Sequence, residues 1–284
     1  VDTAGECQVV QADLGDEAQC VRVLQDTKPK VIVHAAAWTN TSRAEEDPQS
    51  TFRANVDSTR HLLRHSSPDC SFILFSTDWT YDGHKETPYV EEDATEPVNQ
   101  YGLSKVAAEE AVRASGRAYV ILRSALMYGG PSPYGGQCCF ADWFDRKLRE
   151  GQSVSLFEDE FRSPVYVHDV ARVTRLLCQL LLRSSASHPP LPMQETYNLG
   201  GPQPLSRLQF GEKWASAHGY DTSLLEGALS RDLFPGGKRP RHLTLDSGKL
   251  DALLQTHQEA PLLAVRDAVT HMLAGESAPP PPQS

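Results

Sequence analysis

No apolar run in the 284 residues approaches the ~18 needed to cross a bilayer, which argues against a membrane protein. Basic residues are in deficit. Lys and Arg number 27 against 37 Asp and Glu, giving a net charge of −10. A general nucleic-acid binder needs a basic face, so the acidity argues against that class. It does not argue against an anionic small molecule, because backbone N–H groups at helix N-termini bind phosphate without net positive charge. No CxxC pair and no Cys/His cluster has zinc-like spacing, and no metal is expected. The six cysteines (Cys7, Cys20, Cys70, Cys138, Cys139 and Cys178) are irregularly spaced, and adjacent Cys138 and Cys139 chelate one metal poorly. They read as reduced packing thiols, which favours the cytoplasm. There is no internal repeat and no signal-peptide pattern. The first residue is Val rather than Met, and the expectation is a chain that lacks its front.

What is present is alternation. Hydrophobic residues make up 39%, enough for a packed core of one large domain or two small ones. Val9 and Val10 read as the end of a strand closing at Asp13-Leu14, and 16–27 as a helix stopped near Pro29. Residues 31–37 (VIVHAAA), 71–76 (SFILFS) and 118–123 (AYVILR) are apolar runs suited to strands buried on both faces. Residues 49–65 and 99–115 carry helical spacing between them. This order predicts an α/β fold, a Rossmann-like doubly wound parallel sheet covered by helices.

Beyond about residue 128 the pattern becomes irregular. Residues 129–136 (GGPSPYGG) read as a loop that folds over a ligand. Helices are expected at 140–150, from about Asp169 to 182, and near 205–218, 246–255 and 260–273, with strands at 153–157 and 196–199. The expected division is a dinucleotide-binding domain over 1–165, its boundary soft across 128–165, and a smaller irregular α/β substrate lobe over 166–277 with return segments. Residues 278–284 contain four consecutive prolines and read as a disordered tail.

The strongest chemical signal is Tyr101-Gly-Leu-Ser-Lys105. Residues four apart share a helix face. A Lys105 ammonium beside the Tyr101 phenol is expected to lower its pKa from about 10. The phenol then exchanges a proton with a carbonyl or alcohol oxygen. Such pairs are also common on solvated helix faces. The context adds weight. Ser76-Thr77-Asp78 ends a buried strand, where open α/β sheets place ligands, and Thr77 lies 24 residues before Tyr101. Its hydroxyl can hold the same carbonyl oxygen. Ala35, Ala36 and Ala37 end another strand with side chains small enough for a flat cofactor to approach. The Asp13 carboxylate can accept from an adenine amino group, with Leu14 packed on the ring.

These stretches resemble the extended short-chain dehydrogenase/reductases, and within them the dTDP-4-dehydrorhamnose reductase family. The matching segments are 31–38 (VIVHAAAW), 76–83 (STDWTYDG), 97–105 (PVNQYGLSK), 121–129 (ILRSALMYG), 163–171 (SPVYVHDVA) and 239–250 (RPRHLTLDSGKL). They run in the family's order over nearly the whole chain. That family includes the regulatory β subunit of methionine adenosyltransferase. The resemblance implies Thr77, Tyr101 and Lys105 as catalytic residues. It implies Asp13, Leu14, Ala35, Ala36, Ala37, Asn55, Ser76, Lys105 and Arg123 near NADP or NAD, and Asp78, Trp79 and Arg239 near a nucleotide-sugar substrate. Its implied protein partners are a second copy or a methionine adenosyltransferase catalytic subunit. Trp79 stands where the family has Tyr, which removes a hydroxyl beside the sugar.

Structural alternatives stand beside these roles. Asn55 can tie a helix to a strand, Arg123 can belong to a buried ion pair, and Arg239 can lie exposed. Asp169 reads as a helix cap. His34 reads as a packed core residue. The family's opening strand and Gly-rich GxxGxxG turn, which present N–H groups to a pyrophosphate, are not in the sequence. Gly5 is isolated, and Gly15 falls at the wrong point in the order. Three explanations remain open: a trimmed reductase, an isoform without dinucleotide binding, or a binding subunit carrying relic catalytic residues.

Overall fold

Four parallel strands, Val31–His34, Ser71–Thr77, Tyr119–Ser124 and Gln194–Leu199, lie side by side in that order. The structure is a computed structural model and describes residues 8–130, 140–183, 194–236 and 238–276. The register sets Ile73 between Val33 and Val120, and Thr77 beside Ser124. The two central strands are buried at every position but Phe75. One face packs Phe72, Leu74 and Ile121 against Cys20, Leu24, Leu62, Leu63, Ala108 and Val112 of three helices. The other packs Ile73, Val120 and Leu122 against Val170, Val173, Leu177 and Leu250. Burial on both faces explains why these strands are continuous apolar runs rather than alternating ones.

The second half builds its own core. Phe144, Phe210, Trp214, Tyr128, Tyr166 and Val269 form one cluster. Phe161–Arg162 lies between His242–Leu243, in parallel, and Leu205–Ser206, antiparallel. The chain also returns to the sheet, through the helix Val167–Arg183, the strand Gln194–Leu199 and the helix Gly248–Thr256.

Four expectations need correction. Residues 8–13 form no strand, and Val9 is 90% exposed. Among the described residues no strand pairs with this segment, so an extended conformation gains no ladder hydrogen bonds. The apolar run from Val31 leaves the ladder after His34, and Ala35 and Ala36 are exposed. The helix over 49–65 is interrupted by a π-turn, Arg53–Asp57, between Pro48–Phe52 and Ser58–His65. Such turns often occur at functional sites, and this one holds Asn55 in the interior. Asp169 is no cap, because the helix begins at Val167. Its carboxylate accepts from Arg172 Nη2 at 3.0 Å and from the Leu263 amide at 2.8 Å, tying two segments together.

Cys20, Cys70 and Cys178 are free thiols. Cys7, Cys138, Cys139, most of the 129–136 loop and the 278–284 tail fall outside the described residues. Among the described residues no helix is long and apolar enough to cross a membrane, and no group of three or more His, Cys, Asp or Glu is arranged to hold a metal.

Candidate active site

The helix Gln100–Arg113 starts where Asn99 accepts a hydrogen bond from the Gly102 amide at 2.8 Å. Gly102 fits against the turn after Ser71–Thr77 because it has no side chain. A Cβ there would meet the Trp79 carbonyl oxygen at 2.3 Å and Pro97 Cβ at 2.6 Å. That close approach brings Tyr101 to the sheet's C-terminal end. Tyr101, Lys105 and Glu109 form one stripe at a spacing of four, and all three are buried.

Thr77 and Tyr101 are neighbours at the strand's end. Burial disfavours the Tyr101 phenolate and the Asp78 charge adds to this, while the Thr77 hydroxyl opposes it. The phenol is pushed up to about 12. This reverses the expected lowering by Lys105. The physical reason is desolvation of the phenolate, which exceeds any cationic help in a dry site. Lys105 is itself drawn down to about 8 by burial, partly opposed by Glu109. Among the described residues its ammonium has neither an ion pair nor a hydrogen-bond acceptor. Burial holds His34 at about 3, with the Lys105 charge a second cause. Its Nε2 lies 3.3 Å from Ser58 Oγ, a packing role.

Holding an unpaired ammonium in the interior costs stability. The unfolded chain binds more protons than the folded one between pH ~8 and ~10.5, so wild-type stability rises through that window. Below it the full penalty applies. Lys105→Met is expected to gain about 3 kcal/mol at neutral pH and to flatten that rise. Urea unfolding at neutral and alkaline pH checks this, and a Met variant less stable than wild type at pH ~7 contradicts it.

Ser76 and Arg123 both have internal partners. Glu109 accepts from Ser76 Oγ at 2.5 Å, from Arg123 Nε at 3.1 Å and Nη2 at 2.9 Å, and from Arg113 at 2.8 Å. Arg123 Nη1 donates to the Tyr81 hydroxyl and the Glu91 carbonyl. The Arg123 guanidinium is thus committed to a buried ion pair. Asn55 likewise uses its whole amide. Its Oδ1 accepts from the Trp38 amide at 2.6 Å, and its Nδ2 donates to the Trp38 carbonyl and to Ser104 Oγ.

The remaining cofactor candidates do converge. A cleft of about 630 Å³ is lined by Asp13, Leu14, Ala36, Ala37 and Trp38 among others. Ala35 is exposed just before this wall. The Asp13 carboxylate is half-exposed, with Arg53 at 2.8 Å and the Gly15 amide on its other oxygen. The small side chains and exposed carboxylate of this cleft fit the adenine end of a nicotinamide dinucleotide.

Asp78 and Trp79 lie in the short turn that follows Thr77. The Trp79 and Tyr101 rings meet edge to face at 6.3 Å. The Arg162 and Arg239 guanidinium carbons lie 5.5 and 5.3 Å from the Trp79 ring. Arg239 is bidentate to Glu160, at 2.5 and 3.0 Å. It is half-buried rather than free at the surface, and lines a 250 Å³ recess with Phe234, Arg231 and Arg241. Asp78 faces Arg162, whose Nε is 3.6 Å from its Oδ2.

The RmlD substrate binding domain family matches residues 3–275. The chain belongs to this family. Its relatives include a probable low-salt glycan biosynthesis reductase, Agl14, of Haloferax volcanii, 28% identical over 89% of this chain and 81% of the relative. Methionine adenosyltransferase 2 subunit beta of Pongo abelii is 27% identical over 86% of this chain and 70% of its own. Among solved structures, a dTDP-4-dehydrorhamnose reductase of Bacillus anthracis in complex with NADP superposes with a TM-score of 0.79, at 21% identity, over 93% of this chain and 86% of that one. The fold is therefore the Rossmann-like α/β fold of RmlD-type reductases.

Within this RmlD-family chain, Gly102, Glu109, Glu160 and Arg162 were not singled out from sequence. Glu109 had a readable signal, since it continues the Tyr101–Lys105 spacing by one more turn. Gly102 had only its place after Tyr101. Arg162 and Glu160 are brought to the site by a two-residue strand whose pairing no local pattern announces.

Proposed function

We propose that this chain is an NAD(P)H-dependent reductase of a nucleotide-activated 4-keto sugar, acting in the cytoplasm. The observation that carries the reading is the meeting of Tyr101, Thr77 and an unpaired Lys105 at the sheet's C-terminal end, beside a cleft that fits the cofactor. The Bacillus anthracis dTDP-4-dehydrorhamnose reductase with NADP supports it by shared fold. When bound, the nicotinamide supplies a hydride to the sugar's C4 carbonyl. Asp13 and Leu14 would hold the adenine end, Ala35, Ala36 and Ala37 would let the dinucleotide lie against the backbone, and Lys105 would hold a ribose hydroxyl. Ser76, Asn55 and Arg123 set the positions of these groups through Glu109, Trp38 and Tyr81.

Tyr101 gives its phenolic proton to the carbonyl oxygen as negative charge develops there. With the phenol held protonated well above neutral pH, this donor is fully charged for reduction. Thr77 orients the same oxygen. Trp79 forms a wall against the sugar. The Arg239 guanidinium, kept in place by Glu160, binds the pyrophosphate. Residues 1–165 mainly serve the cofactor and 166–277 mainly the substrate. The test supplies full-length protein with NADPH or NADH and dTDP-4-keto-6-deoxy sugars, and follows nicotinamide oxidation. Sugar-dependent oxidation is the expected result. Its absence with every nucleotide-activated 4-keto sugar removes the reading.

A second reading is favoured by the Pongo abelii relative. The chain would then be a regulatory subunit, its partner a methionine adenosyltransferase catalytic subunit rather than a second copy of itself. A stable complex with that enzyme, without turnover of any keto sugar, selects it.

A further inference from the structure

The strap 230–242 carries Arg231, Phe234, Arg239 and Arg241 to the recess. Each of the four residues 159–162 grips it. Asp159 Oδ1 accepts from the Ser230 amide at 2.8 Å, and its Oδ2 accepts from Ser230 Oγ at 3.0 Å and Arg241 Nη2 at 3.4 Å. Glu160 takes the Arg239 guanidinium. The Phe161 amide donates to the Arg241 carbonyl at 2.7 Å, and the Phe161 ring stacks on His242 with centroids 5.3 Å apart.

Arg162 is 1% exposed and gives its donors to main chain rather than to open space. A guanidinium offers five N–H groups in one plane. Nη1 donates to the Phe161 carbonyl at 2.8 Å and the Arg241 carbonyl at 3.2 Å. Nη2 donates to the Pro240 carbonyl at 3.0 Å and lies 3.5 Å from Glu160 Oε2. Nε has no hydrogen-bond partner among the described residues and faces Asp78 Oδ2 at 3.6 Å. One buried cation thus touches the strap through two carbonyls and the turn Asp78–Thr80 through a carboxylate.

We propose that Arg162 is a positioning residue for the substrate, tying the recess-lining strap to the turn beside Tyr101. The turn's Trp79 carbonyl is the surface on which Gly102, next to Tyr101, is seated. The strap holds Arg239. Tying the two fixes the span between the anion-binding end of the site and its proton donor. Because the strap partners are main-chain carbonyls, the tie sets the path of the backbone itself. A ligand seated at Arg239 therefore finds the recess already shaped, and its sugar is presented to Tyr101 without first ordering the strap. Lysine cannot do this. Its ammonium is a compact point charge and does not span the Phe161, Pro240 and Arg241 carbonyls in one plane.

The inference rests on the reductase reading for its substrate but not for the tie. Arg162→Lys is the first variant, because it keeps the positive charge beside Asp78 and Glu160. The full chain is followed by amide exchange over 230–242, by calorimetry with dTDP and with NADPH, and by kinetics with a dTDP-4-keto-6-deoxy sugar. Exchange over the strap is expected to quicken by about tenfold or more. KM for the sugar nucleotide and Kd for dTDP are expected to rise by ~10- to 100-fold, with kcat and the NADPH Kd changed by less than ~3-fold. A merely structural role would instead lower kcat, through loss of active protein, at unchanged KM. That outcome, or strap exchange as slow as in wild type, overturns the proposal. Glu160→Gln is the second variant. It loosens the Arg239 side chain but leaves the carbonyl bonds of Arg162, so KM is expected to rise while strap exchange stays slow. Fast strap exchange in Glu160→Gln moves the tie to Glu160 and also overturns the proposal. If wild type neither binds dTDP nor turns over a keto sugar, the reductase reading fails, while the exchange result still decides whether Arg162 holds the strap.

Discussion

Tyr101→Phe is expected to lower kcat for keto-sugar reduction by a factor on the order of 10² to 10⁴, with little change in KM. Phe keeps the ring that meets Trp79 edge to face and keeps the fit of Gly102 beneath it. Only the proton donor is lost. The raised phenol pKa gives the prediction a direction. Reduction needs the protonated form, which dominates at all pH values well below about 12. Oxidation of the alcohol needs the phenolate, which is scarce over that range. Wild type is therefore expected to reduce efficiently and to run the reverse reaction poorly at neutral pH. Steady-state rates in both directions check this. A Phe variant turning over at the wild-type rate would show that another group protonates the alkoxide.

The second large effect concerns stability. Glu109→Leu is expected to cost about 3–5 kcal/mol, because it leaves Arg123 charged, buried and without its carboxylate. Arg123 is 3% exposed and Glu109 fully buried, so water cannot compensate. The cation favours its charged form because of Glu109, despite the cost of burial. Pairing Glu109→Leu with Arg123→Met is expected to recover most of the loss, since two apolar side chains remove both desolvation penalties at once. Urea unfolding of the four proteins measures the coupling. A single-variant loss under ~1 kcal/mol would mean that the pair is worth no more than a surface one.

The sheet was legible because its central strands are buried on both faces and carry unbroken apolar runs, as at 71–76. Residues 8–13 show the converse. Val9 and Val10 have strand character, but a strand exists only with a partner to complete its hydrogen bonds, and sequence does not display the partner. The meeting of Thr77 and Tyr101 was legible from the family's order and the strand-end position. The phenol's electrostatics were not. A spacing of four places Lys105 on the right face but says nothing of how much water either group loses. Asn55, Arg123 and Arg239 each carried an alternative, and the structure shows what each one touches. The first two are committed to internal partners, whereas Arg239 pairs with Glu160 and still lines an open recess. Arg162 escaped notice because its importance comes from a tertiary crossing rather than from its neighbours in the chain.

The π-turn around Asn55 has a mechanical consequence. One amide group accepts from the backbone N–H of Trp38, donates to its C=O and also donates to a hydroxyl of the Gln100–Arg113 helix. It acts as a fixed spacer between the cleft wall and the helix that carries Tyr101 and Lys105. The end of the site that would grip the adenine and the end that would move a proton are therefore joined through a single side chain.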